Sequence, residues 1–187
     1  MTTVYIIIGI VAIILIIMAS TYNGLVRLRN RVKNAWAQID VQLKRRHDLI
    51  PNLVETAKGY MTHERGTFEA VTKARNLAQK AAGTGVGAQS KAEGELSSAL
   101  ARLLVVVENY PDLKANQNFL ALQEELTSTE NKIGFSRQYY NDSVLRYNNK
   151  TQMFPSNIIA GAMGFKASEF FEVEAVEERE APKVSFS

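Results

Sequence analysis

The first segment of the chain constrains its fold most. From Val4 to Ala19 the sequence reads VYIIIGIVAIILIIMA, and no side chain from Thr2 to Val26 carries a charge. A helix crosses the hydrocarbon core of a bilayer with about 20 mostly apolar residues, because it satisfies its own backbone hydrogen bonds there. The segment meets that length and is expected to be a transmembrane anchor. A cleaved signal peptide would place cations before the apolar run and a small-x-small site after it. Here MTT holds no cation and MAST is a poor site. Arg27, Arg29, Arg31 and Lys33 follow the span and none precedes it. A cationic excess marks the cytoplasmic side, so the N-terminus is expected outside and the body in the cytoplasm. These membrane-flanking cations also lie where anionic headgroups attract each by about 1 kcal/mol close to the surface. The lipid bilayer is therefore the first expected partner.

The rest reads as helix. Of 187 residues, 46% are hydrophobic and 22% charged, with only four prolines and no cysteine. Such a composition fits one globular core and excludes disulfides, thiolate nucleophiles and cysteine metal sites. Leu25, Leu28, Val32, Ala35 or Trp36, Ile39 and Leu43 recur at spacings of three and four, and the series resumes at Ile50, Val54, Ala57, Met61, Phe68, Val71 and Ala78. That periodicity predicts one long amphipathic helix of about 54 residues, reaching roughly 80 Å at 1.5 Å per residue. Pro51 interrupts it chemically: it has no amide for the His47 carbonyl, and its ring crowds that carbonyl, so a helix kink is expected there. His47 falls on the apolar line and is read as a packed or carbonyl-bonded residue. Lys44, Arg45 and Arg46 are read as a solvated basic surface.

AAGTGVGAQS, Ala81 to Ser90, is a glycine-rich connection without the preceding strand of a dinucleotide loop. A second helix is expected from about Lys91 to Asn109, with Leu96, Leu100, Leu103, Leu104 and Val107 inward, and Pro111 with Asp112 makes the next turn. The third helix repeats every seven residues, at Phe119, Leu126, Ile133, Tyr140 and Tyr147, with Leu122, Thr129, Ser136 and Ser143 in the other seam. Beyond Lys150, Pro155 with Ser156 or Asn157 starts a short apolar helix that Gly164 stops. This Met153 to Phe171 segment fits a membrane contact and a cap on the bundle equally well. Six glutamates from Glu169 to Glu180, against Arg179, form an acidic tail. The expected domains are an anchor at 1–24, a helical bundle at 25–152, a short C-terminal helix and cap at 153–168, and the tail at 169–187.

Enzyme signatures are missing. His63–Glu64 is a bare pair rather than HExxH, and GxSxG and Walker sequences are absent. Two histidines without cysteine make a poor zinc set, and a net charge of +3 without a concentrated basic face argues against nucleic acid. No cofactor is expected. Three runs, YNGLVRLRNRVKNAWAQIDVQLKRRHDLIPNLVETAKGY, ENYPDLKANQNFLALQEELTSTENKIGFSRQYYNDSVLRYNN and FPSNIIAGAMGF, together with the N-terminal span, resemble the LemA family of bacterial membrane-anchored proteins over essentially the whole chain. The resemblance implies an all-α fold, an up-and-down antiparallel bundle of long helices behind one N-terminal transmembrane helix in the bacterial inner membrane. No enzymatic activity comes with it. Relatives include a protein needed for forming magnetosome membranes, which implies a membrane-organising role.

Two function classes follow. One is a self-associating structural protein that organises or remodels the inner membrane. The other is an adaptor that docks a membrane or envelope protein, such as a membrane protease, through its bundle or tail. Leu25, Leu28, Val32 and Trp36 sit on the stretch nearest the membrane, which a shorter second helix cannot cover. They are therefore expected to lack an intrachain partner and to form contacts in a homo-oligomer, since an apolar stripe left in water costs about 25 cal/mol per Å².

Overall fold

The computed structural model describes residues 1–172. Its elements are α1 (Thr2–Lys58), α2 (Arg65–Ala81), α3 (Val86–Val107), α4 (Pro111–Lys114), α5 (Gln117–Gln152) and α6 (Ser156–Ala162). The described residues form no strand. The fold is an all-α, up-and-down antiparallel bundle of long helices that begins with an apolar N-terminal helix. The acidic tail beyond Glu172 lies outside the described residues.

α1 is 57 residues long, roughly 85 Å at the α-helical rise, and is long and apolar enough at its N-terminal end to cross a membrane. It passes through Pro51 without interruption. The His47 carbonyl, deprived of its residue-51 amide, instead accepts a hydrogen bond from Arg75 Nε at 2.7 Å. A side chain from α2 thus replaces the bond that proline removes, which lets the helix continue.

The expected single helix from Leu25 to Ala78 is in fact two. α1 stops at Lys58, and residues 59–64 turn the chain before α2 begins. Gly59 opens this turn, and the Tyr60 and Met61 amides both return to the Ala57 carbonyl at 3.0 Å. Two long-range bonds hold it: Asn116 Nδ2 donates to Tyr60 Oη at 2.9 Å, and Tyr110 Oη donates to Glu64 Oε1 at 3.1 Å. The periodicity argument carried the helix across THERGT, which holds no apolar residue between Met61 and Phe68. α3 also starts earlier than expected, at Val86, because Gly83 and Gly85 take φ of 78° and 130° and confine the reversal to a few residues.

The described residues divide into two compact units: Met1–Val41 with Gly134–Phe170, and Gln42–Ile133 with Phe171 and Glu172. In the first, Leu25, Val32, Ala35 and Ile39 of α1 are buried along with Tyr140, Val144 and Tyr147 of α5. Trp36 meets Tyr140 edge-to-face, with ring centroids 5.3 Å apart. In the second, Ile50, Leu53, Val54 and Ala57 of α1 join α2, α3 and the first half of α5 in one core. The heptad of α5 is buried along its length, from Phe119 through Leu126, Ile133 and Tyr140 to Tyr147. Thr129 and Ser143 of the small seam are buried too, their hydroxyls bonded to the Glu125 and Tyr139 carbonyls one turn back.

Leu25, Leu28, Val32 and Trp36 are not the uncovered stripe that the sequence suggested. Leu25 and Val32 are buried within the chain, Leu28 is half-buried, and Trp36 rests on Tyr140. The length argument left this stretch bare although the third helix was long enough to reach it, and α5 does run back along α1 there.

Candidate functional site

Two places concentrate chemistry, one in each unit. In the second unit, Arg46 lies on the buried stripe of α1, three residues after Leu43 and four before Ile50. Its side chain is 1% exposed. It pairs with the Glu93 carboxylate of α3, itself 3% exposed. Arg46 Nη1 also donates to Glu130 Oε1 of α5 at 2.6 Å and to Ser97 Oγ at 2.8 Å. His47 Nε2 lies 3.1 Å from the same Glu93 carboxylate. One guanidinium therefore ties α1, α3 and α5 together in a low-dielectric setting, where planar, multi-donor arginine serves better than lysine.

This corrects the reading of Lys44 to Arg46 as a solvated surface. Arg45 is exposed and pairs with Glu125 at 2.5 Å, and Lys44 is exposed, but Arg46 is interior. Its partner Glu93 was not singled out at all. It stands three residues before Leu96 and seven before Leu100, on the inward face of α3, so its place in the apolar register was the available signal. His47 is packed, as expected, and its backbone carbonyl is the group that Arg75 bonds. Among the described residues, no group of three or more histidine, aspartate or glutamate side chains could hold a metal ion.

The other place is in the first unit, just beyond the apolar end of α1. Arg27, Arg29, Arg31 and Lys33 are all exposed there. The Arg29 guanidinium sits 5.0 Å from the centroid of the Phe165 ring, a cation–π distance. Tyr22 meets the same ring edge-to-face at 5.7 Å. Three α5 side chains hold the segment after α6 in place. Tyr147 Oη donates to the Lys166 carbonyl at 2.9 Å, and Tyr140 Oη to the Glu169 carbonyl at 2.9 Å. Asn148 grips both sides of Ser168, accepting its amide at 2.8 Å and donating to its carbonyl at 2.9 Å. Burial, and then the charge of Glu169, push the Tyr140 phenol up to about 12. Burial also raises Tyr147, against the lowering effect of Arg29. Both phenols are therefore neutral donors at physiological pH. Just before α4, burial and then the Glu64 carboxylate it bonds raise Tyr110 in the same way.

α6 itself is tucked in by its small residues. Ser156 and Ala160 are buried, with Ser156 Oγ donating to the Lys150 and Met153 carbonyls at 2.6 and 2.8 Å. It ends as its sequence predicts, with Gly164 at φ 70° and the Phe165 amide returning to the Ala160 carbonyl.

Comparison with known proteins gives a consistent result. The model of the LemA family matches residues 35–186. Magnetosome protein MamQ 1 of Paramagnetospirillum magneticum is 26% identical over 175 residues, covering 81% of this chain and 64% of its own length. Protein LemA of Metamycoplasma hominis is 27% identical over 157 residues, covering 83% of this chain and 70% of its own. Magnetosome protein MamQ of Magnetospirillum gryphiswaldense is 24% identical over 174 residues, covering 80% of this chain and 64% of its own. The chain thus spans a little under two thirds of the length of its MamQ relatives.

Proposed function

Taking as premise that the chain belongs to the LemA family, we propose that it is a membrane-anchored, self-associating structural protein that organises or remodels the bacterial inner membrane. The observation that carries this reading is the continuity of α1. The apolar stretch and the amphipathic stretch belong to one helix, Thr2–Lys58, with no hinge between them. A body joined this way imposes its orientation on the span, which a flexibly tethered domain could not do. The large apolar side chains of the anchor from Val4 to Met18 are exposed in the isolated chain, as lipid-facing residues should be. The cations after the span support a body in the cytoplasm and an N-terminus outside. The curated relatives named as magnetosome proteins fit a membrane role.

Self-association rests on apolar side chains left bare in the first unit. Phe135 is 74% exposed and Val41 63%, and Tyr139 is exposed one turn beyond Phe135. In mild detergent the mass should correspond to a homo-oligomer, and Phe135→Lys should reduce it without loss of helicity. A wild-type monomer across a wide concentration range would defeat the scaffold reading.

An adaptor role is the alternative, favoured by a groove of about 840 Å³ along α2. Met61, Phe68 and Leu77 give it an apolar floor, and Lys58, Arg65 and Lys73 give it a cationic edge. An acidic, apolar segment of a membrane or envelope protein would fit it. A monomer that retains a defined partner would establish this role instead.

A further inference from the structure

We propose that the turn around α6 is a second membrane contact, an interfacial foot that inserts Met153, Phe154, Ile158 and Met163 at the headgroup–acyl boundary of the leaflet from which α1 emerges. The proposal rests on α1 being a transmembrane anchor and adds a lipid-binding surface to it.

Four observations converge on this assignment. The first is exposure: Met153 is 63% exposed, Phe154 79%, Ile158 63% and Met163 56%. Scattered single apolar residues are ordinary on a protein surface, but four within eleven residues of one short turn are a patch with a purpose. In α6 the small Ser156 and Ala160 are buried while Ile158 is exposed, so the helix does not spend all its large apolar side chains on a core.

The second is position. Phe165, at the end of this turn, lies against Tyr22 and beneath the Arg29 guanidinium. Tyr22 is only four residues beyond Met18, which puts it about 6 Å further along the helix axis. The turn is therefore held at the level where α1 leaves the hydrocarbon, and where amphipathic aromatic side chains concentrate at membrane interfaces. Tyr140, Tyr147 and Asn148 fasten the backbone after it to α5, so its height is fixed by the fold.

The third is charge. No residue from Thr151 to Phe165 is charged, while Lys150 and Lys166 stand at its two ends. Residues 1–39 and 143–168 hold Arg27, Arg29, Arg31, Lys33, Arg146, Lys150 and Lys166 and no acid. An apolar patch flanked by cations is complementary to an anionic lipid surface, and unsuited to the same cation-bearing face of a second copy. The fourth is continuity: the patch extends the lipid contact that the anchor already makes.

The absence of cysteine from the chain allows single introduced thiols. The full-length protein would be reconstituted in vesicles of phosphatidylcholine and phosphatidylglycerol. Phe154→Cys, Ile158→Cys, Ile10→Cys and Val105→Cys would each carry an environment-sensitive fluorophore, and quenching would be read with lipids brominated near the carbonyl end of the chain and, for the label at Ile10→Cys, near its methyl end. Labels at 154 and 158 should be blue-shifted and quenched, and the label at 105, another exposed apolar position, should be neither. Quenching should fall severalfold in pure phosphatidylcholine; equal quenching in both vesicles would overturn the electrostatic part. Phe154→Ser with Ile158→Ser should lower the quenching of a label at Met163→Cys severalfold while the far-ultraviolet circular dichroism is unchanged. If the labels at 154 and 158 behave like that at 105 while the label at Ile10→Cys is quenched, the foot is wrong and the anchor stands. If the label at Ile10→Cys also escapes, the anchor itself is wrong. A blue shift that grows with protein density, without lipid quenching, would assign the patch to a second copy and refute the lipid contact.

Discussion

Replacing Arg46 by methionine removes one positive charge but strands a negative one. Arg46 and Glu93 are 1% and 3% exposed, so neither can exchange its partner for water. After Arg46→Met, Glu93 retains only the His47 ring at 3.1 Å. Glu130, whose side chain is 36% exposed, turns to solvent at a cost of about 0–1 kcal/mol. The loss therefore comes almost wholly from Glu93, and breaking a buried pair from one side costs about 3–5 kcal/mol. With an unfolding slope near 2 kcal/mol/M, the urea midpoint of the full chain in mild detergent should fall by roughly 2 M. The double variant R46M/E93L removes both buried charges and fills the space with apolar atoms, so it should recover most of the loss or exceed wild type. Far-ultraviolet circular dichroism against urea measures all three proteins. If Arg46→Met costs less than about 1 kcal/mol, or if the double variant is no better than the single, the pair is not the interior tie inferred here.

Other outcomes follow from the same geometry. Arg75→Met strands the His47 carbonyl and should cost about 1–3 kcal/mol in urea unfolding; the cost should shrink in the P51A background, where a residue-51 amide can bond that carbonyl, and an unchanged cost would refute the substitution of Arg75 for the missing amide. The Tyr140 phenol, held at about 12 by burial and by Glu169, binds its proton more tightly folded than unfolded. Its stabilising contribution is therefore complete below pH 10 and lost as the pH rises toward 12, so Tyr140→Phe should flatten the alkaline limb of a stability–pH profile, and an unaltered limb would remove Tyr140 as its cause. A reporter active only in the cytoplasm and fused after Ser187 should work, and a periplasm-dependent one should not; the opposite pattern would overturn the orientation drawn from Arg27 to Lys33.

Much of the fold was legible because it is carried by local periodicity. The apolar start of α1, the stop of α6 at Gly164 and the seven-residue repeat of α5 all depend on residues close in sequence. The break at residues 59–64 was harder to see, because Tyr60 and Glu64 are held by Asn116 and Tyr110, about fifty residues away. Arg46 was misread for a related reason. An arginine between Lys44 and Asp48 looks solvated until its partners are known, and Glu93 and Glu130 reach it from separate helices. Its place in the apolar register identified it as interior, but residue type was given more weight than phase. The bare flank of Leu25 to Trp36 was an inference from helix lengths, and it failed because α5 returns alongside that stretch. The patch on α6 was undecided from sequence, since an apolar turn reads the same whether it faces a core or a lipid surface.

The uninterrupted passage of α1 from its apolar end to its amphipathic length makes that stretch of helix, on the membrane-anchor reading, a drive shaft with a fixed phase. Each residue advances an α-helix by about 100° and 1.5 Å. One residue inserted between Met18 and Tyr22 would therefore turn the span by roughly a quarter of a revolution against Arg29 and Phe165. Seven inserted residues would restore the phase to within about 20° yet lift the α6 turn by about 10 Å. Azimuth and height are thus separate settings of one sequence stretch. Insertions of different length would tell whether the membrane responds to the direction the body faces or to its distance from the lipid.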